Sequence, residues 1–155
     1  GHHKTSAEIL RQVRGYGWDR KRPGDAVVRG RLERATCLMN LAMGKQREAE
    51  AAARAALQIH HSVLAEEAWD VQMDKLALAD VLRKQKRVRE AGDLYQQAFK
   101  TLTSRLGPAQ PHARYALQQL ATLLDENGQP AEAARIREAL ANLPQPECRM
   151  CAAAK

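Results

Sequence analysis

The chain has 155 residues, 45% of them hydrophobic, 4% aromatic and 28% charged, with 25 Lys and Arg against 18 Asp and Glu for a net charge of +7. Alanine and leucine supply most of the apolar total, which is enough for one packed domain or a short array of repeats, argues against wholesale disorder, and favours helices over a β-sandwich or barrel. No run of ~18 apolar residues is present to span a membrane, and three cysteines are too few for a disulfide framework and suit a reducing compartment, so a cytoplasmic location is expected.

Gly1-His2-His3 reads as the remnant of an expression tag and is set aside. Ser6 to Arg14 predicts a short helix, with Thr5 and Glu8 spaced as a capping box. Residues 1–35 carry nine Lys and Arg against four acids, and Tyr16 and Trp18 sit among the cations that end in Arg20, Lys21 and Arg22. Such a mixture suits a single nucleic-acid strand, which aromatics stack on and cations neutralise. The plainer reading has Tyr16 and Trp18 folding back as a cover over the first helices. Asp25, after Pro23-Gly24, is the expected N-cap of the next helix.

From there the chain repeats. The dipeptide Glu-Ala recurs at Glu48-Ala49, Glu90-Ala91 and Glu132-Ala133, with spacings 91 − 49 = 42 and 133 − 91 = 42. The flanks agree: Cys37, Ala79 and Ala121 stand twelve before each alanine, and Gly44, Lys86 and Gly128 five before. Stepping back once more, 49 − 42 = 7 lands on Ala7, half of an earlier copy. Each copy reads as two amphipathic helices. In the third, Ala113, Ala116, Leu117, Leu120, Ala121 and Leu124 form one buried stripe, Asn127-Gly128-Gln129-Pro130 breaks the helix, and Ala133, Ile136, Ala139, Leu140 and Leu143 form the next stripe. In the second copy the later stripe is Val88, Ala91, Leu94, Tyr95, Ala98, Phe99 and Leu102. Two such helices cannot cover their own apolar faces, and stacked neighbours do so. Trp69 is expected to bury between copies one and two, Leu76 to join the core, and Cys37 to serve as a small packed apolar group.

This pattern resembles a tetratricopeptide (TPR) array, and its period resembles the kinesin-light-chain subtype. In that subtype a loop reading roughly Leu-Gly-x-x-His-Pro leads into Leu-Asn-Asn-Leu-Ala. Leu106-Gly107-Pro108-Ala109-Gln110-Pro111 matches the loop with Gln110 in the histidine place, and Leu117-Gln118-Gln119-Leu120-Ala121 matches the helix with glutamines for asparagines. The resemblance implies an all-α, right-handed superhelical array of about three helix pairs (an α-solenoid) preceded by a short N-terminal helical segment. Its parts are residues 1–24 as tag remnant and basic segment, 25–143 as the repeats (about 25–64, 65–106 and 107–143), and 144–155 as a flexible tail.

It also implies a function, a scaffold that binds a partner peptide or protein segment in the concave groove lined by the first helix of each pair. On this register the groove residues are Arg31, Arg34 and Leu38 in copy one, Met73, Asp80, Arg83 and Lys84 in copy two, and Tyr115, Gln118, Gln119, Thr122 and Asp125 in copy three. The groove is basic at its amino-terminal end, so a peptide with acidic residues toward the first copy is expected. One TPR subclass grips a terminal carboxylate with lysines, an arginine and two asparagines. Arg34 stands for one cation here, but the asparagines are missing and Tyr115 replaces a lysine, so a chaperone-tail receptor is not expected.

Two other readings compete. Nucleic acid would bind the basic amino-terminal segment and Arg83 to Arg89, where five of seven residues are cationic, although cations ending a helix also simply complement its dipole. Self-association would use Ile136, Leu140 and Leu143, the stripe of a final helix with no following copy to cover it. No catalytic signature appears, neither G-x-S-x-G, nor a phosphate-cradling loop, nor H-E-x-x-H, so no enzyme, cofactor or metal is expected. Cys148-x-x-Cys151 lacks the second pair that zinc requires, and His60-His61 reads as helix-end or loop residues.

Overall fold

In a computed structural model, the residues described are 22–144 together with Glu8, Gln12 and Gly15. They contain six principal helices and no strand: α1 (Pro23–Ala42), α2 (Gln46–His61), α3 (Trp69–Lys84), α4 (Val88–Leu106), α5 (Pro111–Glu126) and α6 (Pro130–Asn142). The expectations for Thr5, Tyr16, Trp18, Cys148 and Cys151 fall outside the described residues. The chain divides into two compact units, residues 1–94 and 95–155.

The 42-residue period is written in the turns. Gly44, Lys86 and Gly128 each follow a helix with positive φ, at 74°, 64° and 74°. The same pair of backbone bonds closes every one. The N–H groups of Gly44 and Lys45 donate to Leu41 and Asn40, those of Lys86 and Arg87 to Arg83 and Leu82, and those of Gly128 and Gln129 to Asp125 and Leu124. These bonds satisfy carbonyls orphaned at the helix end, and the next helix begins two residues later, at Gln46, Val88 and Pro130.

Helix starts are set by different devices. Proline opens α1, α5 and α6 at the position where its missing N–H costs nothing. Asp25 is therefore not the N-cap. Arg22 holds that place, and Asp25 lies in the first turn, where its charge still favours the helix dipole. Gln110 caps α5 with its side chain, accepting from the N–H groups of His112 and Ala113.

In the first unit α2 packs against α1, and α3 packs on both. α2 offers small side chains, Ala49, Ala52, Ala53 and Ala56, and Cys37 of α1 is fully buried. Eleven of the sixteen residues of α3 are buried, Leu76 among them. Trp69, however, is 40% exposed rather than buried in a junction. Asp70, Asp74, Ala77 and Val81 take the buried line of α3, and Trp69, one residue earlier, is turned about 100° away. In the second unit α5 and α6 pack together. α5 buries Ala113, Ala116, Leu117, Leu120, Ala121 and Leu123, with Leu123 deeper than Leu124, and α4 supplies Tyr95, Ala98 and Leu102 to the core.

Candidate functional site

The site begins on α1. Arg31 and Arg34 lie three residues apart, so both reach the same neighbouring helix. Arg31 forms a fork on Asp70 of α3, with Nε at 3.0 Å from Oδ1 and Nη2 at 2.7 Å from Oδ2. Arg34 bridges the two acids of α3, with Nη2 at 2.9 Å from Asp70 Oδ1 and Nη1 at 2.7 Å from Asp74 Oδ1. Nη1 also donates to the Asp70 carbonyl at 3.1 Å. The far oxygen of Asp74 meets His60 Nδ1 from α2, and His60 Nε2 stands 3.0 Å from the Val27 carbonyl. Hydrogen bonds from Arg31, opposed by burial and reinforced by Arg34, hold the Asp70 carboxyl down at about 2. Burial pushes Asp74 up, against the pull of His60 and Arg34.

The two arginines expected to meet an acidic partner at the first copy are thus paired within the unit. Arg34 keeps 18% of its side chain exposed and Arg31 keeps 56%, but both charges are already met by carboxylates of the same unit. His60 is likewise no loose helix-end residue, since it is fully buried.

Apart from those two arginines, the side chains expected in the groove are dispersed along their helices. Leu38 is 49% exposed on α1. On α3, Lys84 is exposed while Met73, Asp80 and Arg83 are half-buried. On α5, Tyr115 and Gln118 are exposed, Gln119 is half-buried, and the Thr122 hydroxyl donates back to the Gln118 carbonyl at 2.9 Å. Asp125 is engaged by Arg137 of α6. Ile136, Leu140 and Leu143 are half-buried, and the remaining outward positions of α6 hold Ala, Glu, Arg and Asn.

The basic run at 83–89 is also partly spoken for. Arg83 and Lys84 end α3, where they suit its dipole. The left-handed turn at Lys86 delivers Arg87 to Glu50 of α2 at 2.7 Å and to Glu90 at 2.6 Å. Glu50 also accepts from Gln85 and Arg54, each at 2.9 Å. Burial raises the Glu50 carboxyl, but these three donors outweigh it and hold the group at about 2.

Sequence reasoning missed Asp70, Asp74 and Gly30. A signal existed for the acids: they occupy the positions of Val28 and Leu32 in copy one and of His112 and Ala116 in copy three, and are i,i+4 on one helix stripe. Gly30 is explained by His60, because a Cβ there would lie 2.3 Å from the ring Nε2. Among the described residues no group of three His, Cys, Asp or Glu side chains is placed to hold a metal ion, and no helix is long and apolar enough to cross a membrane.

No family model and no curated protein matches this chain. Solved structures do. BtubC (BKLC) from P. vanneervenii superposes with a TM-score of 0.75 at 17% identity, over 95% of this chain and 60% of that one. A protein described as a kinesin light chain with nearly identical TPR-like repeats, from Podospora anserina, gives 0.69 at 20% identity, over 90% and 65%. A TPR-like protein from Chlorobium tepidum gives 0.60 at 25% identity, over 80% and 86%. The chain thus spans less than two thirds of the first two structures. The turns that recur every 42 residues and these three likenesses agree: this is an all-α helical-repeat protein with the TPR-like fold.

Proposed function

We propose that this protein is a non-catalytic scaffold that binds a partner peptide or protein segment through the first helix of each repeat. The observation that carries the reading is the exposure of Leu38 and Tyr115, large apolar side chains at the register positions where a TPR-like fold presents its ligand face. Gln118 and Lys84 on the same register are exposed too and add hydrogen-bonding capacity. With Arg31 and Arg34 engaged by Asp70 and Asp74, the partner is better matched by apolar and neutral polar side chains than by acids.

A pull-down from source-cell lysate at moderate salt tests this, comparing wild type with Tyr115→Ala plus Gln119→Ala and, separately, with Leu38→Glu. The expected result is a protein partner lost from both variants while their melting temperatures stay at the wild-type value. Partners retained by both variants, or nucleic acid dominating the eluate, would move function to the basic segments.

A further inference from the structure

His60 is fully buried, and both ring nitrogens face atoms that only accept. Nδ1 meets the carboxylate oxygen Oδ2 of Asp74, and Nε2 meets the Val27 carbonyl at 3.0 Å. A neutral imidazole offers one donor and one acceptor. Beside an ionised Asp74 it would leave one of these two contacts as lone pair against lone pair. The contact becomes a hydrogen bond only if a proton lies between Nδ1 and Oδ2, whichever atom formally carries it. The ring cannot turn aside easily, because the α1 backbone at Gly30 sits so close to its Nε2 end that a Cβ would collide. We infer that His60 and Asp74 hold one proton between them across the neutral range, and that seating α3 on the first helix pair takes this proton up, making the junction alkaline-sensitive.

The surroundings leave that pair as the group to watch. From α1 it is faced by Arg34, with Arg31 beyond, and by the Cys37 thiol, which burial, then Asp80 and Asp74, push up to about 12. From α3 it is faced by Asp70, held down at about 2 by Arg31 and Arg34. Next to it in the chain, His61 pairs with Glu66 at 3.2 Å. In the unfolded chain His and Asp have ordinary values of about 6.5 and 3.9, so above about pH 6.5 the two hold no shared proton. Because the folded state binds the proton and the unfolded state does not, stability is present in full below about pH 6.5 and falls as pH rises. The unfolding constant then grows up to tenfold per pH unit until the folded pair also lets go.

Urea unfolding of the full chain between about pH 6 and 8, below the range in which an unfolded Cys37 thiol ionises, tests this against Asp74→Asn. An asparagine keeps an oxygen for Arg34 and offers an N–H to the lone pair of a neutral His60, whose Nε2–H then serves Val27. No proton need be taken up. The wild-type unfolding constant is expected to climb toward tenfold per pH unit above about pH 7, and the variant to lack that slope. A flat wild type, or an equal slope in the variant, overturns the proposal. Nitrogen-15 NMR of wild-type His60 decides it without any variant. A proton held between Nδ1 and Asp74 at pH 7.5 supports the inference, and a bare Nδ1 at that pH overturns it.

Discussion

Residues 22–94 and residues 95–144 share one repeat register but are held together by different chemistry. Among the described residues, all the buried polar and charged side chains, Thr36, His60, Asp70, Gln72, Asp74 and Lys75, lie in the first region. The second is packed from Ala113, Ala116, Leu117, Leu120, Leu123, Tyr95 and Leu102, and the ion pair of Asp125 with Arg137 there is exposed. Aliphatic packing is tolerant of exchange so long as volume is kept. The Arg31 fork on Asp70 is not, because it needs a planar donor pair and a carboxylate at one distance and angle. The same helical repeat can thus be closed around a mainly aliphatic core or around a match of charged donors to acceptors, and the latter tolerates far fewer substitutions.

The comparison is broken most sharply at Gly30. Alanine usually stabilises a helix interior by about 1 kcal/mol over glycine, but at Gly30 the added methyl must push His60 off Val27 and Asp74. Gly30→Ala is expected to destabilise by about 2–4 kcal/mol, measured by urea unfolding. A neutral or stabilising result would mean that the ring has room to move, and that the first region is closed by packing like the second. The next effect is acid loss. Asp70 is held at about 2 in the fold, below an unfolded value near 3.9. Its contribution is complete above about pH 4 and disappears as pH falls toward 2. In a series of denaturation midpoints from pH 6 to 2, wild type is expected to lose about 1–2 kcal/mol more than Asp70→Asn, which keeps the loss owed to Glu50. The smallest effect lies at Lys86, the non-glycine among three equivalent left-handed turns. Lys86→Gly is expected to raise stability by about 0.5–1 kcal/mol. A loss instead would show that the Lys86 side chain supports its turn.

The arrangement of helices was readable because it depends on short-range chemistry that recurs. Gly44 and Gly128 announce left-handed turns, Pro130 announces a helix start, and Lys86 inherits its conformation from its place in the register. The α5 stripe was readable because its alanines and leucines recur at helical spacing. His60 was not, since its partners Val27 and Asp74 lie 33 and 14 residues away and become neighbours only when α3 packs on α1 and α2. For the same reason Arg31 and Arg34 looked like spare cations: an arginine pattern on one helix says nothing about acids 36 to 40 residues further on. Trp69 was misjudged because a large apolar residue at the first position of a helix points wherever the helix phase sends it, and here Asp70 takes the inward phase.

The ionic cluster has a consequence for the order of the copies. Its cations at 31 and 34 are replaced by Met73 and Leu76 in the second copy and by Tyr115 and Gln118 in the third, while its acids at 70 and 74 replace Val28 and Leu32 of the first. Each copy therefore carries half of a lock or none, and the two halves meet once. Shuffled or duplicated, the modules would leave the mostly buried Arg34 unmatched, at a cost of several kcal/mol, and the more exposed Arg31 without its fork. Repeat proteins are often treated as interchangeable bricks. In this one the first joint is keyed, so the chain has a head that can be told from its tail by charge alone.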